Sequence, residues 1–147
     1  MRSCTGDGEM RLFIDSGALV ARHNRDDEHH QEAVDLFDNI ASGKLPYMKM
    51  YCSDYIADEA ITTCRVRTRS HRSAVELGEA ILTSKSIVVL RVDEAVFQEA
   101  WDLFKRLEDL ELSFTDCTTA SLARKHGILD IFTFDRAFDA LGFHRVP

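Results

Sequence analysis

The stretch "RLFIDSGAL", residues 11–19, sets a pattern that recurs along the chain. It passes from an apolar segment typical of a buried strand into Asp15, and then into small residues that suit the first turn of a helix. A carboxylate in this position either caps the following helix or takes part in chemistry. Its role therefore has to be judged together with the other acids of the chain.

The same change from strand to helix occurs several times. Apolar or β-branched segments predict strands at 11–14, 47–53, 86–92, 130–134 and 143–147. Amphipathic segments predict helices at 16–24, 28–42, 54–66, 72–84, 94–109 and 113–127, with a short helical turn at 135–141. Strands that alternate with helices predict an α/β fold, with a mostly parallel central sheet of about four or five strands flanked by helices.

Length and composition are those of one globular domain. The chain has 147 residues, of which 45% are hydrophobic and 29% charged, so a single well-filled core is expected. We predict one domain at 10–147, and a disordered leader or cloning remnant at 1–9. The sequence has neither an apolar run of about 18 residues nor a signal-peptide pattern, which makes a cytoplasmic location the expectation.

Four acids stand where a parallel sheet would bring them together. Asp15 follows the first strand, Asp135 follows the strand at 130–134, and Asp116 opens the helix before that strand. Glu59 lies beside the apolar stripe of the helix at 54–66. Ligands of open parallel sheets bind at the carboxyl ends of the strands, so these four side chains are expected to share one crevice.

Such a cluster of carboxylates needs a cation. Without one the like charges repel and raise each other's pKa values. Oxygen ligands without thiolate or imidazole favour Mg²⁺ or Mn²⁺. Ions of this kind activate water and stabilise charge during attack on a phosphodiester, so the acids predict hydrolysis of a nucleic acid.

Each acid also has a structural explanation. Ser113 and Asp116 form the S-x-x-D pattern of a capping box, and Asp135 and Asp15 stand where either could cap the next helix. Glu59, like its neighbour Asp58, could be a solvated helix residue. Both interpretations stay open on the sequence alone.

An arginine-rich segment is the candidate contact for a phosphate backbone. The net charge of −7 argues against general binding to nucleic acid, but "RVRTRSHR" at 65–72 concentrates positive charge locally. The candidates are Arg65, Arg67, Arg69 and Arg72. A solvated surface is the alternative interpretation of the same segment.

Three motifs resemble those of one family. "FIDSGALVA" at 13–21 resembles the opening hhDTSxLhA of PIN domains, where h is a hydrophobic residue. "LSFTDCTTASLARKHGI" at 112–128 resembles their third-acid helix, and "IFTFDRAF" at 131–138 resembles their closing T-x-D-x-x-F. Each motif alone is weak, whereas three in this order and spacing are a strong indication. The resemblance covers 10–147.

The resemblance implies a metal-dependent ribonuclease fold, and single-domain members of this size look like the VapC toxins of toxin-antitoxin pairs. It implies an acidic site of Asp15, Glu59, Asp116 and Asp135, supported by the hydroxyls of Ser16 and Thr133. Asp58 is the alternative to Glu59 as second acid. It further implies Mg²⁺ or Mn²⁺ as cofactor, RNA as substrate, a homodimer, and an antitoxin whose tail occupies the active-site groove.

Other functions fit less well. A PIN nuclease of RNA processing without a toxin role and a PIN scaffold that binds without cutting are both alternatives. A phosphoacceptor receiver domain is a further α/β candidate, but Asp15 has no acidic neighbour and no lysine follows residue 125.

Overall fold

The computed structural model describes residues 10–147, so the leader predicted at 1–9 lies outside the described residues. The strands are β1 (Met10–Ile14), β2 (Tyr47–Ser53), β3 (Ile87–Leu90), β4 (Asp130–Phe132) and β5 (His144–Val146). The helices are α1 (Ser16–His23), α2 (His30–Ala41), α3 (Asp54–Thr68), α4 (His71–Leu82), α5 (Glu94–Arg106) and α6 (Phe114–Lys125), and a 3₁₀ helix covers Arg136–Leu141.

The five strands form one parallel sheet in the order β3-β2-β1-β4-β5. The predicted α/β class and the flanked parallel sheet are thereby confirmed. The strand predicted at 130–134 is shorter than expected and ends at Phe132. The Thr133 side chain turns there toward the backbone N–H of Asp135, which begins the next turn of the chain.

The central strand supplies the middle of the core. Leu12, Phe13 and Ile14 of β1 are fully buried, as are Ile131 and Phe132 of β4. Parallel strands covered by helices on both faces carry continuous apolar runs, which is why "LFI" and "IF" show no polar alternation. Asp15 therefore leaves the sheet from its central strand, directly after three fully buried residues. Across residues 10–147, no helix has the length and apolar character needed to cross a membrane.

A buried hydrogen bond joins the amino-terminal ends of two strands on either side of β1. The Tyr47 hydroxyl donates to Oδ2 of Asp130 at 2.7 Å, and the Asp130 side chain is completely buried. His144 approaches the other carboxylate oxygen at 3.4 Å. This contact fixes β2 and β4 at the end of the sheet opposite to Asp15.

Tyr47→Phe is expected to lower the free energy of unfolding by about 1–3 kcal/mol, because a buried carboxylate loses one hydrogen-bond donor. Urea unfolding of both proteins, followed by circular dichroism, measures the difference. Equal unfolding midpoints would show that this hydrogen bond adds nothing to stability.

Candidate active site

Asp15 is held in place at the end of β1 by two neighbouring groups. Its Oδ1 accepts a hydrogen bond from the Ser16 backbone N–H at 2.8 Å, which makes it the N-cap of α1. Its Oδ2 accepts one from the Thr133 hydroxyl at 2.7 Å. The Asp15 side chain is buried, so both bonds replace water that the carboxylate has lost.

Thr133 connects Asp15 to Asp135. While the Thr133 hydroxyl donates to Asp15, its oxygen accepts from the backbone N–H of Asp135 at 3.0 Å. Asp135 caps the 3₁₀ helix, since its Oδ1 accepts from the backbone N–H of Ala137 at 2.9 Å. One hydroxyl therefore links the acids that follow β1 and β4.

Ser16 connects Asp15 to α3. Its hydroxyl donates a short hydrogen bond to Oε1 of Glu59, which is half-buried. The adjacent Asp58 is exposed. Of the two acids that the sequence left open, the structure brings Glu59 to the cluster, because Glu59 lies on the inner side of α3.

Asp116 is part of a capping box and of the acid cluster at the same time. The Ser113 hydroxyl accepts from the Asp116 backbone N–H at 3.0 Å, and Oδ2 of Asp116 accepts from the Ser113 backbone N–H at 2.9 Å. The Asp116 side chain is nevertheless buried beside the other acids. The structural and the functional interpretation of this residue thus do not exclude each other.

The acids interact electrostatically. The pKa of Asp15 is raised to about 7, chiefly by burial and also by the nearby charges of Asp116 and Glu59, which together outweigh the lowering effect of the Thr133 and Ser16 hydrogen bonds. The pKa of Asp116 is likewise raised to about 6, chiefly by burial, against the lowering effect of its hydrogen bonds with Ser113 and with smaller contributions from the charges of Glu59 and Asp135. Asp15 therefore interacts with Glu59 and Asp116, and Asp116 interacts in turn with Glu59 and Asp135.

The oxygen atoms of the cluster suit a hard cation, although their side chains are not arranged as a coordination shell. Four carboxylates and two hydroxyls offer oxygen ligands only, as Mg²⁺ and Mn²⁺ prefer. Within residues 10–147, no three Asp, Glu, His or Cys side chains already form a ligand set. One oxygen each of Asp116 and Asp135 is engaged in a helix cap. The mutual pKa effects follow from charge crowding and do not depend on the orientation of individual oxygens.

The arginine-rich segment does not form one patch. Arg65 and Arg67 lie in the last turns of α3, Arg69 ends that helix in a left-handed conformation with φ of 56°, and Arg72 lies in α4. Arg72 pairs with Glu76 at 3.1 Å. Arg67, by contrast, contacts Asp27, with its Nη1 3.4 Å from Oδ2 of that acid. The four side chains are all exposed, and Arg67 is the one that lines a cavity together with Gly17 and Phe134.

A stacked pair of rings at the same end of the sheet was not predicted. The imidazole of His29 lies on the ring of Phe134, with centroids 4.1 Å apart and planes 7° from parallel. His29 is distant in sequence from every acid of the cluster. One sign of this pair was present in the sequence: Phe134 lies between Thr133 and Asp135. Phe134 was expected to belong to the strand at 130–134.

The comparisons with known proteins identify the family of this chain. Residues 12–144 match the model of the PIN domain family, and the chain belongs to that family. The 23S rRNA-specific endonuclease VapC20 of Mycobacterium tuberculosis is 31% identical to it over 135 residues, which are 92% of this chain and 97% of that protein. The family resemblance seen in the three sequence motifs is confirmed.

Solved structures show the same fold. The crystal structure of M. tuberculosis VapC20, described as a sarcin-ricin loop cleaving toxin, has a TM-score of 0.81 at 30% identity and covers 92% of this chain and 98% of its own. VapBC2 of Rickettsia felis, bound to a promoter DNA fragment, has a TM-score of 0.64 at 12% identity, with 93% and 98% covered. FitAcB of Neisseria gonorrhoeae has a TM-score of 0.62 at 17% identity, with 92% and 96% covered. The last two likenesses concern the fold alone.

The raised pKa of Asp15 predicts how stability depends on pH in EDTA. Between about pH 4 and 7 the folded protein keeps a proton on Asp15 that the unfolded chain has lost, so this group makes stability fall as pH rises. Asp15→Asn removes the effect. We expect the variant to gain about 2 kcal/mol or more relative to wild type by pH 8, or roughly 5 °C in Tm.

Thermal unfolding from pH 4.5 to 8 measures this difference. The quantity of interest is the Tm of the variant minus that of wild type, because titration of other groups cancels in it. If the Tm difference between the variant and wild type is the same at every pH, Asp15 does not hold a proton in the folded protein.

Proposed function

We propose that this chain is a metal-dependent endoribonuclease of the VapC toxin type, which hydrolyses phosphodiester bonds in RNA. The observation that carries the proposal is the cluster of four interacting acids at the carboxyl ends of β1 and β4 in a PIN domain chain. The description of the relative VapC20 as an endonuclease and toxin supports it, since that protein and this chain match over nearly their whole lengths.

The proposed cofactor is Mg²⁺ or Mn²⁺, held by carboxylate oxygens of Asp15, Glu59, Asp116 and Asp135. A divalent cation, when bound, supplies a lowered pKa for attacking water and neutralises charge on the phosphate. The crowding that raises the pKa values of Asp15 and Asp116 favours such a cation, because it would relieve the repulsion between these acids.

The protein's own groups fix the acids in place. Thr133 orients Asp15 and the backbone of Asp135, while Ser16 orients Glu59. Side chains locked by hydrogen bonds and burial hold their positions without an entropy cost at the moment of reaction. In this proposal Ser16 and Thr133 are positioning residues and do not act as nucleophiles.

The remaining partners follow from the toxin assignment. We propose a small antitoxin whose tail occupies the groove over the acids, a homodimer, and action on RNA in the cytoplasm. The likeness of this chain to the VapC20 toxin supports these partners through the shared family.

Cleavage of a hairpin RNA that carries the sarcin-ricin loop sequence of 23S rRNA tests the function. Wild type with Mn²⁺ should cut this RNA, and EDTA should abolish the cutting. Asp15→Asn should reduce the rate by at least about 100-fold, because a carboxylate at the centre of the cluster is lost. Cutting that persists in EDTA, or an equally active variant, would contradict the proposal.

A matched pair of variants on α3 tests the second acid. Glu59→Gln should lower cleavage by at least about tenfold, since it removes a charge that Ser16 holds in the cluster. Asp58→Asn removes the same charge from the neighbouring exposed position and should leave the rate within about twofold. The reverse result would assign the role to Asp58.

A further inference from the structure

A cavity of about 490 Å³ opens beside the acid cluster. Gly17, the second residue of α1, and Phe134, which separates Thr133 from Asp135, both line it. The other walls come from the connection between α1 and α2 and from the end of α3. Its volume lies within the range of pockets that hold small ligands. The proposed roles of the acids leave this space unused.

One wall of the cavity is a flat ring on a rigid base. His29 stacks on Phe134, and Phe134 in turn packs edge-on against the fully buried Phe132, with centroids 5.8 Å apart and planes at 70°. The His29 side chain remains 37% exposed. An immobilised planar ring of this kind is a surface on which an unpaired nucleobase stacks.

The connection that carries His29 is held by its own hydrogen bonds. Oδ1 of Asp27 accepts from the His29 backbone N–H at 2.9 Å, and Oδ1 of Asn24 accepts from the Asp26 backbone N–H at 3.1 Å. The backbone N–H of Asp27 also donates to the Asn24 carbonyl at 3.0 Å. The ring is therefore positioned before any ligand arrives, which lowers the entropy cost of binding.

Arg67 brings positive charge to the same cavity. Its guanidinium is 3.4 Å from Oδ2 of Asp27, whose side chain is only 8% exposed, while the Arg67 side chain is 58% exposed. Because the guanidinium itself is largely exposed, it keeps further N–H donors that suit a phosphate. Arg67 lies two turns beyond Glu59 on α3, so it projects from the helix that also carries an acid of the cluster.

The acids in the cavity wall indicate which part of a nucleotide enters. Asp26 and Glu28 line the cavity with negative charge, and Glu28 lies 3.4 Å from the His29 ring. These charges repel a phosphate but accept hydrogen bonds from the amino groups of a base. A neutral base in the cavity and a phosphate at Arg67 satisfy both conditions.

We infer that this cavity is a nucleotide subsite, in which one unpaired base next to the bond to be cut stacks on His29 while Arg67 contacts its phosphate. The inference rests on the proposed ribonuclease function and adds to it the residues that select the substrate. It singles out Arg67 among the four candidate arginines. His29 acts here as a specificity residue and not as a catalytic one.

Binding to the sarcin-ricin hairpin tests the subsite without cleavage. Fluorescence anisotropy with Mg²⁺ is measured in the Asp15→Asn background, alone and combined with His29→Ala, His29→Phe, Arg67→Ala or Lys85→Ala. His29→Ala should weaken binding about fivefold or more, because a stacking surface is lost. His29→Phe keeps the flat ring and should bind within about twofold of the parent.

The charge variants separate a local contact from net charge. Arg67→Ala should weaken binding and reduce the slope of log K against log salt by about one. Lys85→Ala removes one charge in the turn before β3, at the amino-terminal end of the sheet, and should leave the affinity nearly unchanged. Thermal melts of every variant identify any loss of folding.

Several outcomes would overturn the inference: no loss of binding in His29→Ala, an equal loss in His29→Phe, equal effects of Arg67→Ala and Lys85→Ala, or no binding of the hairpin at all. Cleavage by the otherwise wild-type protein distinguishes the two proposals. If His29→Ala cuts the hairpin with unchanged KM, the subsite alone is wrong. If wild type cuts nothing while the differences in binding persist, the ribonuclease is wrong and the nucleotide site stands.

Discussion

The hydrogen bond from the Thr133 hydroxyl to Asp15 joins residues 118 positions apart and depends on the order of the strands. β1 and β4 are neighbours in the sheet, and each ends in a polar side chain at the same edge. Because β1 is the central strand, Asp15 emerges from a fully apolar core and loses most of its water. The hydrogen bonds from Thr133 and the Ser16 backbone replace part of that hydration, which lowers the cost of burying the acid.

The carboxyl groups that take part in helix caps also belong to the acid cluster. A cap stabilises a helix by about 1 kcal/mol, whereas bringing like charges together in a buried site costs more. Asp15, Asp116 and Asp135 each cap a helix or turn, and their capping bonds offset part of the repulsion. A capping pattern in the sequence is therefore no argument against a functional acid in a fold where helices begin at the site.

The sequence predicted most of the fold and the acids, for reasons that particular residues make clear. Asp15 and Asp135 were found because the carboxyl ends of parallel strands share an edge. Glu59 was a candidate because of its place beside the apolar stripe of α3, and it was preferred to Asp58 because it stands where the family resemblance places the second acid. The stacking of His29 on Phe134 could not be predicted, since it depends on how the connection after α1 folds back over β4. The separation of the four arginines onto different surfaces was not predicted either. It follows from the end of α3 at Arg69, whose left-handed conformation favours glycine and is not indicated by any local sequence pattern.

The net charge of −7 limits how this protein can recognise RNA. Affinity for nucleic acid normally comes from many phosphate contacts. Here the arginines point to different parts of the surface, and Arg72 is engaged with Glu76, so a broad basic face is missing from that segment. Under the proposed function and the inferred subsite, binding depends on a few local features beside the acids: a cation among the carboxylates, the Arg67 guanidinium, and a flat ring for an unpaired base. Such features favour a folded RNA with exposed bases over a regular duplex, because a paired base offers no free face for stacking.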